Sequence, residues 1–163
     1  MSPVNEKRLA NLEYLIELDY EKLYEYEQEL SITASANNRN EAKQRIKREI
    51  MPRIRKHEAE YWAILKQSAD PNNVSDLEAQ SAIDSVVQEV EIVQVQEMPD
   101  EVLQKLHEIL EKLNEPGTAA AAKAKFAVNI IPGILAYEFE LDTEASLRKA
   151  FRPIKQLFGP AQA

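Results

Sequence analysis

A chain of 163 residues has room for one ordinary domain or two very small ones, enough to bury a core but not to build an elaborate multidomain enzyme. It has no cysteine, which excludes disulfides, thiolate metal sites and a cysteine nucleophile and fits an intracellular, cytoplasmic setting. Three glycines against abundant Ala, Leu, Glu, Lys and Gln is the usage of helices, and a net charge of −8 disfavours indiscriminate binding to nucleic acid.

From Glu6 to Leu30 the apolar positions Leu9, Leu12, Ile16, Leu23, Tyr26 and Leu30 recur at steps of three and four, which predicts a heptad-like helix with Asp19 in one seam place. The segment SITASANNRN breaks the pattern with turn formers, and Asn38 or Asn40 is the expected cap of the next helix. A second seam follows from Glu41 to Leu65: Ala42, Ile46, Ile50, Ile54, His57, Tyr61 and Ile64 or Leu65. Pro52 should kink it without ending it. The first helix holds 8 acidic and 3 basic side chains, the second (Asn40 to Leu65) 4 and 7. Opposite charge on consecutive helices favours an antiparallel, coiled-coil-like hairpin over residues 1–68.

Residues 69–75 read as a polar linker, and Ser75-Asp76-Leu77-Glu78 is a capping-box pattern that should start a helix at Asp76. Farther on, Val86, Val87, Val90, Ile92, Val93 and Val95 are β-branched and partly alternating, so 89–96 reads equally as strand or helix end. Pro99-Asp100 opens the clearest helix, with Leu103, Leu106, Leu110 and Leu113 on one stripe and Asn114 to Gly117 ending it. Thr118 to Lys125 is helix-prone, and Pro132-Gly133 signals a turn or break. Beyond it Tyr137, Phe139 and Leu141 alternate with Glu138 and Glu140, as in an edge strand. Asp142 or Thr143 should cap a last helix with Leu147, Ala150 or Phe151, Ile154, Leu157 and Phe158 inside, interrupted at Pro153. Its polar side holds Arg148, Lys149, Arg152 and Lys155. The expected fold is therefore mainly α: the hairpin, then a small helical unit over 76–163 with room for a short strand pair. The whole acidic excess falls in the second half, with 16 acidic and 8 basic residues over 69–163 against 12 and 12 before it.

Neither histidine has a Glu three residues before it or a second His within a turn or two, so His57 and His107 read as packed or exposed side chains and not as ligands. No zinc, phosphate-loop, dinucleotide or nucleophile-elbow motif occurs, and the expectation is a protein without catalytic residues, cofactor or metal. Glu138, Glu140 and Asp142 fit a solvated strand face better than a calcium site, because no glycine-hinged loop accompanies them. Arg45, Arg48, Arg55 and Lys56 share a helical face that suits the acidic first helix better than phosphates. What remains points to protein contact, with itself or another chain, as a homo-oligomer or adaptor. Tyr20 and Tyr24, spaced i, i+4 off the main seam, are the leading contact candidates and read equally as side chains packed on the second half of this same chain, and Arg148, Lys149 and Arg152 on the last helix are further candidates. Membrane binding is disfavoured: the N-terminus has no apolar core of a signal peptide, and no run reaches the ~18 apolar residues of a span. The alternative function is a membrane-surface or pore-associated module using segment 126–139 with the basic residues of the last helix, opposed by Glu138, Glu140, Asp142 and Glu144 lying between.

The stretches EYEQELSITASANNRNEAKQRIKREI and AKFAVNIIPGILAYEFELDTEASLRKAF resemble the small helical effector-associated modules that stand beside STAND NTPases, caspase-like proteases, TIR domains and pentapeptide repeats in cyanobacterial and other bacterial conflict systems. The resemblance covers residues 6–65 and 101–158. Its most diagnostic piece is Ile130-Ile131-Pro132-Gly133-Ile134-Leu135, followed by Tyr137-Glu138 and Leu141-Asp142-Thr143-Glu144. It implies an adaptor that joins a sensor to an effector by association and carries no catalytic residues. No effector or NTPase domain accompanies the module within these 163 residues.

Overall fold

A computed structural model describes residues 1–93 and 98–160. The α-helices are α1 (Pro3–Ile32), α2 (Ala36–Arg45), α3 (Met51–Ser68), α4 (Asp76–Val93), α5 (Asp100–Leu113), α6 (Ala120–Leu135) and α7 (Leu141–Phe158). A π-helical stretch, Ile46–Ile50, joins α2 to α3, and a 3-10 turn, Pro71–Asn73, precedes α4. The chain is mainly α, and no strand occurs among the described residues. Of the two readings left open for 89–96, the helix end holds where the chain is described: residues 89–93 continue α4, and 94–97 lie outside the described residues. Val86, Val90 and Val93 fall at i, i+4 and i+7 and are all buried, so burial of a helical stripe overrides the β-preference of valine. The edge strand expected from Tyr137 on does not form. Residues 138–140 are an irregular connector, and Leu141 already begins α7.

Local chemistry sets the ends. Ser2, Ser35 and Ser75 each accept a hydrogen bond from a backbone N–H three residues on, at Asn5, Asn38 and Glu78. The cap of α2 is thus Ser35 and not the expected Asn38 or Asn40, and α7 follows Glu140 without a side-chain cap from Asp142 or Thr143. Two prolines behave differently from simple helix breakers. Pro52 has no N–H to offer Arg48. The π turn before it absorbs the misfit, with the Met51 N–H reaching back five residues to the Ile46 carbonyl, and the seam continues through Ile54. Pro132 sits inside α6, where a break was expected. Burial of Ile131, Ile134 and Leu135 on both sides of it offsets the ~3 kcal/mol a mid-helix proline costs. Gly133 serves the same packing: a Cβ there would stand 3.2 Å from Lys105 Nζ of α5.

Helix α1 lies against α2 and α3, with Arg8 beside Glu60, Asp19 beside His57, Tyr26 beside Arg45 and Arg39 beside the Leu30 carbonyl. These pairs close steadily toward the turn at 33–35, the geometry of an antiparallel pair. α3 then packs on α6, α4 on α6 and α7, and α5 on α6. The main apolar core takes Leu9, Leu12 and Ile16 from α1 and Tyr61, Trp62 and Leu65 from α3. It runs without a gap into α4–α7, so it draws on both sides of residues 69–75. A second, smaller cluster, Leu23, Ile46, Ile50, Met51 and Ile54, lies nearer the turn. No described helix is long and apolar enough to cross a membrane. The apolar side chains of 126–139 are largely in the core, with Ala127, Val128, Ile131, Ile134 and Leu135 buried.

Candidate functional site

The two polar residues that stand in the seams meet. His57 Nδ1 lies 2.8 Å from Asp19 Oδ2, and Arg53 Nε is 3.8 Å from the other oxygen. Glu58 extends this polar layer across α3 to α7. Arg148 donates through Nη1 to Glu58 and through Nη2 to Glu144 Oε1 at 3.1 Å. Arg55 grips Glu144 with two hydrogen bonds of 2.8 Å. Lys155 Nζ stands 3.5 Å from Glu58 Oε1 and 4.9 Å above the Tyr61 ring. Tyr20 donates to Glu58 Oε1 at 3.4 Å. The layer separates the two apolar clusters, and Tyr20 packs against both.

The electrostatics follow from burial. Side chains of Arg148, Glu144 and Glu58 are 3%, 2% and 5% exposed, so each charge depends on the others and not on water. Burial alone would lower the Arg148 pKa, but Glu58 and Glu144 hold it above its ordinary value and keep the guanidinium charged. Burial also pushes the Tyr20 hydroxyl well above the usual tyrosine range, with the charge of Glu58 adding to it. Tyr61, donating to Glu13 Oε1 at 3.0 Å, is raised for the same two reasons. The carboxylates are answered by guanidinium, ammonium or hydroxyl groups. Two surface hollows, one of about 150 Å³ near Met1, Ala69 and Phe158 and a shallow one near Glu108, Lys112 and Phe126, take in no residue of this layer. Among the described residues no three His, Asp or Glu side chains gather as metal ligands. The layer ties α7 to α3 through Arg148–Glu58 and Arg55–Glu144, and α1 to α3 through Tyr20–Glu58 and Asp19–His57.

This corrects two contact candidates. Arg148 is not on an outer polar side but is buried at the centre of the layer, and Tyr20 is partly buried with its hydroxyl committed to Glu58. Tyr24 is 62% exposed, and Lys149 and Arg152 are also exposed. Of the basic set running from α2 through the π stretch to α3, Arg55 is tied to Glu144 and Arg45 to Tyr26 and Glu41, while Arg48 and Lys56 face solvent.

The accessible surface that stands out is the outward side of α1. Tyr14 is 63% and Leu18 42% exposed, one turn apart on the side opposite Leu12, Ile16 and Leu23. Glu17, Glu21, Glu25 and Glu29, also exposed, run beside them at steps of four. The pair Tyr14 and Leu18 was not singled out from sequence, although its signal was there: neither residue fits the seam that buries its neighbours. Comparison of the chain with protein-family models, with curated proteins and with solved structures finds no match.

Proposed function

We propose that the protein is a non-catalytic adaptor that works by binding protein, linking a sensor to an effector in bacterial defence or signalling, as its resemblance to effector-associated modules implies. The observation that carries this reading is the outward face of α1. This helix is 30 residues long, one side of it packs on α2, α3 and the π stretch between them and enters the main core, and its other side presents Tyr14 and Leu18 beside a row of glutamates. A tyrosine contributes large contact area with few rotors, and an apolar pair rimmed by acidic groups suits a protein partner with a cationic surface. Burial of Ala127, Val128, Ile131, Ile134 and Leu135 in the core favours this reading over a membrane-surface module using segment 126–139.

The test is a titration. A partner crosslinked through a photoreactive group at position 14 in the native host is purified and titrated with the wild-type chain and with Tyr14→Ser/Leu18→Ser. Removing a central aromatic contact should weaken binding by about 30-fold, whereas surface changes shift stability by under ~0.5 kcal/mol. Equal affinity for the two chains would overturn the assignment of this face.

A further inference from the structure

Two rows of like charge run along the hairpin. On α1, Glu17, Glu21, Glu25 and Glu29 are exposed at successive steps of four and span about 18 Å at 1.5 Å per residue. Along α2 and into the π stretch, Arg39, Lys43 and Lys47 are exposed at the same step, with Arg48 and Lys56 beyond. Like charges one turn apart destabilise a helix, so each row carries a cost that an opposite row would relieve. Within the chain they do not relieve each other. Glu21 and Glu25 each lie about 200° around α1 from Leu23, which packs with the π stretch and α3, so they point away from that side of the hairpin. The cross-hairpin ion pairs among the described residues are Arg8–Glu60, Arg53–Asp19 and His57–Asp19, and none draws on either row. Of the four glutamates only Glu25 is ion-paired, with Lys22 of its own helix at 3.5 Å, and Lys43, Lys47, Arg48 and Lys56 make no ion pair among the described residues.

We infer that the cationic partner of α1 is a second copy of this chain, whose row Arg39–Lys43–Lys47 docks on Glu17–Glu21–Glu25–Glu29 and covers Tyr14 and Leu18. This rests on the protein-binding reading above and names the occupant of the same face. Each copy offers one row of each sign at the same spacing, so the match of charge and repeat is built into one sequence. Both rows are exposed and stand clear of the buried layer that holds the fold together.

The experiment is sedimentation velocity of the full chain over a concentration series at about 50 mM and about 500 mM NaCl, with helicity checked by circular dichroism. Three chains are compared: wild type, Glu17→Lys/Glu21→Lys/Glu25→Lys, and Lys43→Glu/Lys47→Glu. The wild type should exceed its monomer mass of 18.6 kDa at low salt and return toward it at high salt. Each reversed chain should associate at least about a hundredfold more weakly, because like charges then face each other, and a 1:1 mixture of the two should recover association. Association that survives either reversal would overturn the docking surface. A wild type that stays monomeric at low salt up to about 1 mM, where even a weak complex would form, would overturn the second copy as partner. The latter result leaves the adaptor reading to the Tyr14/Leu18 titration, so the two fail separately.

Discussion

The apolar clusters on either side of the polar layer are built from the same two seams, yet they are held very differently. Below the layer, Leu9, Leu12 and Ile16 of α1 meet Tyr61, Trp62 and Leu65 of α3 in a core continued by α6 and α7, with α4 packed on those two. Above it, five buried side chains stand almost alone, helped by Tyr20, Tyr26, Leu30 and Leu141 at their margin. Helix α2 has Ala42 as its single buried residue and, among the described elements, packs against α1 and the π stretch. A repeating seam is therefore enough to pair two helices, but how strongly the pair resists opening depends on what covers it.

The largest test of this contrast is in the main core. Phe151→Ala removes a fully buried ring of α7 and should cost about 3–5 kcal/mol in a urea melt, unfolding the chain as a whole. Next comes the layer between the clusters. Arg148→Met leaves Glu58 and Glu144 buried without their shared cation and should cost about 3 kcal/mol, and adding Glu58→Gln should restore part of it. No recovery in the double variant would mean that Arg148 acts through packing of its stem and not through charge. In the upper cluster Ile50→Ala should cost about 2 kcal/mol, with faster amide exchange confined to residues 24–50 while α4 and α7 stay protected. Equal loss of protection in all helices would show that the two clusters open as one unit.

The smallest effect is the dependence on pH. Tyr20 and Tyr61 have folded pKa values raised above the usual 10.0, Tyr20 where both clusters meet and Tyr61 in the lower one. Above about pH 10 the unfolded chain loses these protons while the folded chain keeps them, so their contribution to stability is full below that pH and falls as pH rises through it. Urea midpoints measured between about pH 9 and 11 should decline, and Tyr20→Phe and Tyr61→Phe should each flatten part of the decline. An unchanged slope in both variants would place the alkaline titration elsewhere.

Much of this architecture was legible in the residues. The seams of α1 and α3, the start of α4 at the Ser75 cap and the passage of a seam through Pro52 follow from spacing and capping, which are local, whereas the stripe of α5 was legible by half: Leu106 and Leu113 are buried as expected, but Val102 and Ile109 take the inner places expected for Leu103 and Leu110. Asp19 and His57 could be seen as misfits in their seams, though not as partners, because nothing in either helix alone tells that positions 38 residues apart face each other. The row of glutamates on α1 was visible too. Arg148 was not legible as a core residue: on a helix wheel it belongs to the polar side of α7, and Glu58 arriving from α3, together with Glu144 of its own helix, makes its burial tolerable.

By itself the sequence determined the helical class, the starts of α4 and α5 and the seams of the first two long helical stretches, because period, caps and composition act within a few residues of one another. The tertiary structure alone decided the rest. It kept α6 intact through Pro132 because the flanking isoleucines are buried on both sides, and it turned the valines of α4 into a helix by giving them a helical stripe to fill. It drew Tyr20 and Arg148 inward to a shared carboxylate and left Tyr14, Leu18 and Tyr24 on the outside. The physical reason is common to all of these: burial and charge pairing are settled between elements distant in the chain, and their energies exceed the local preferences from which a sequence is read.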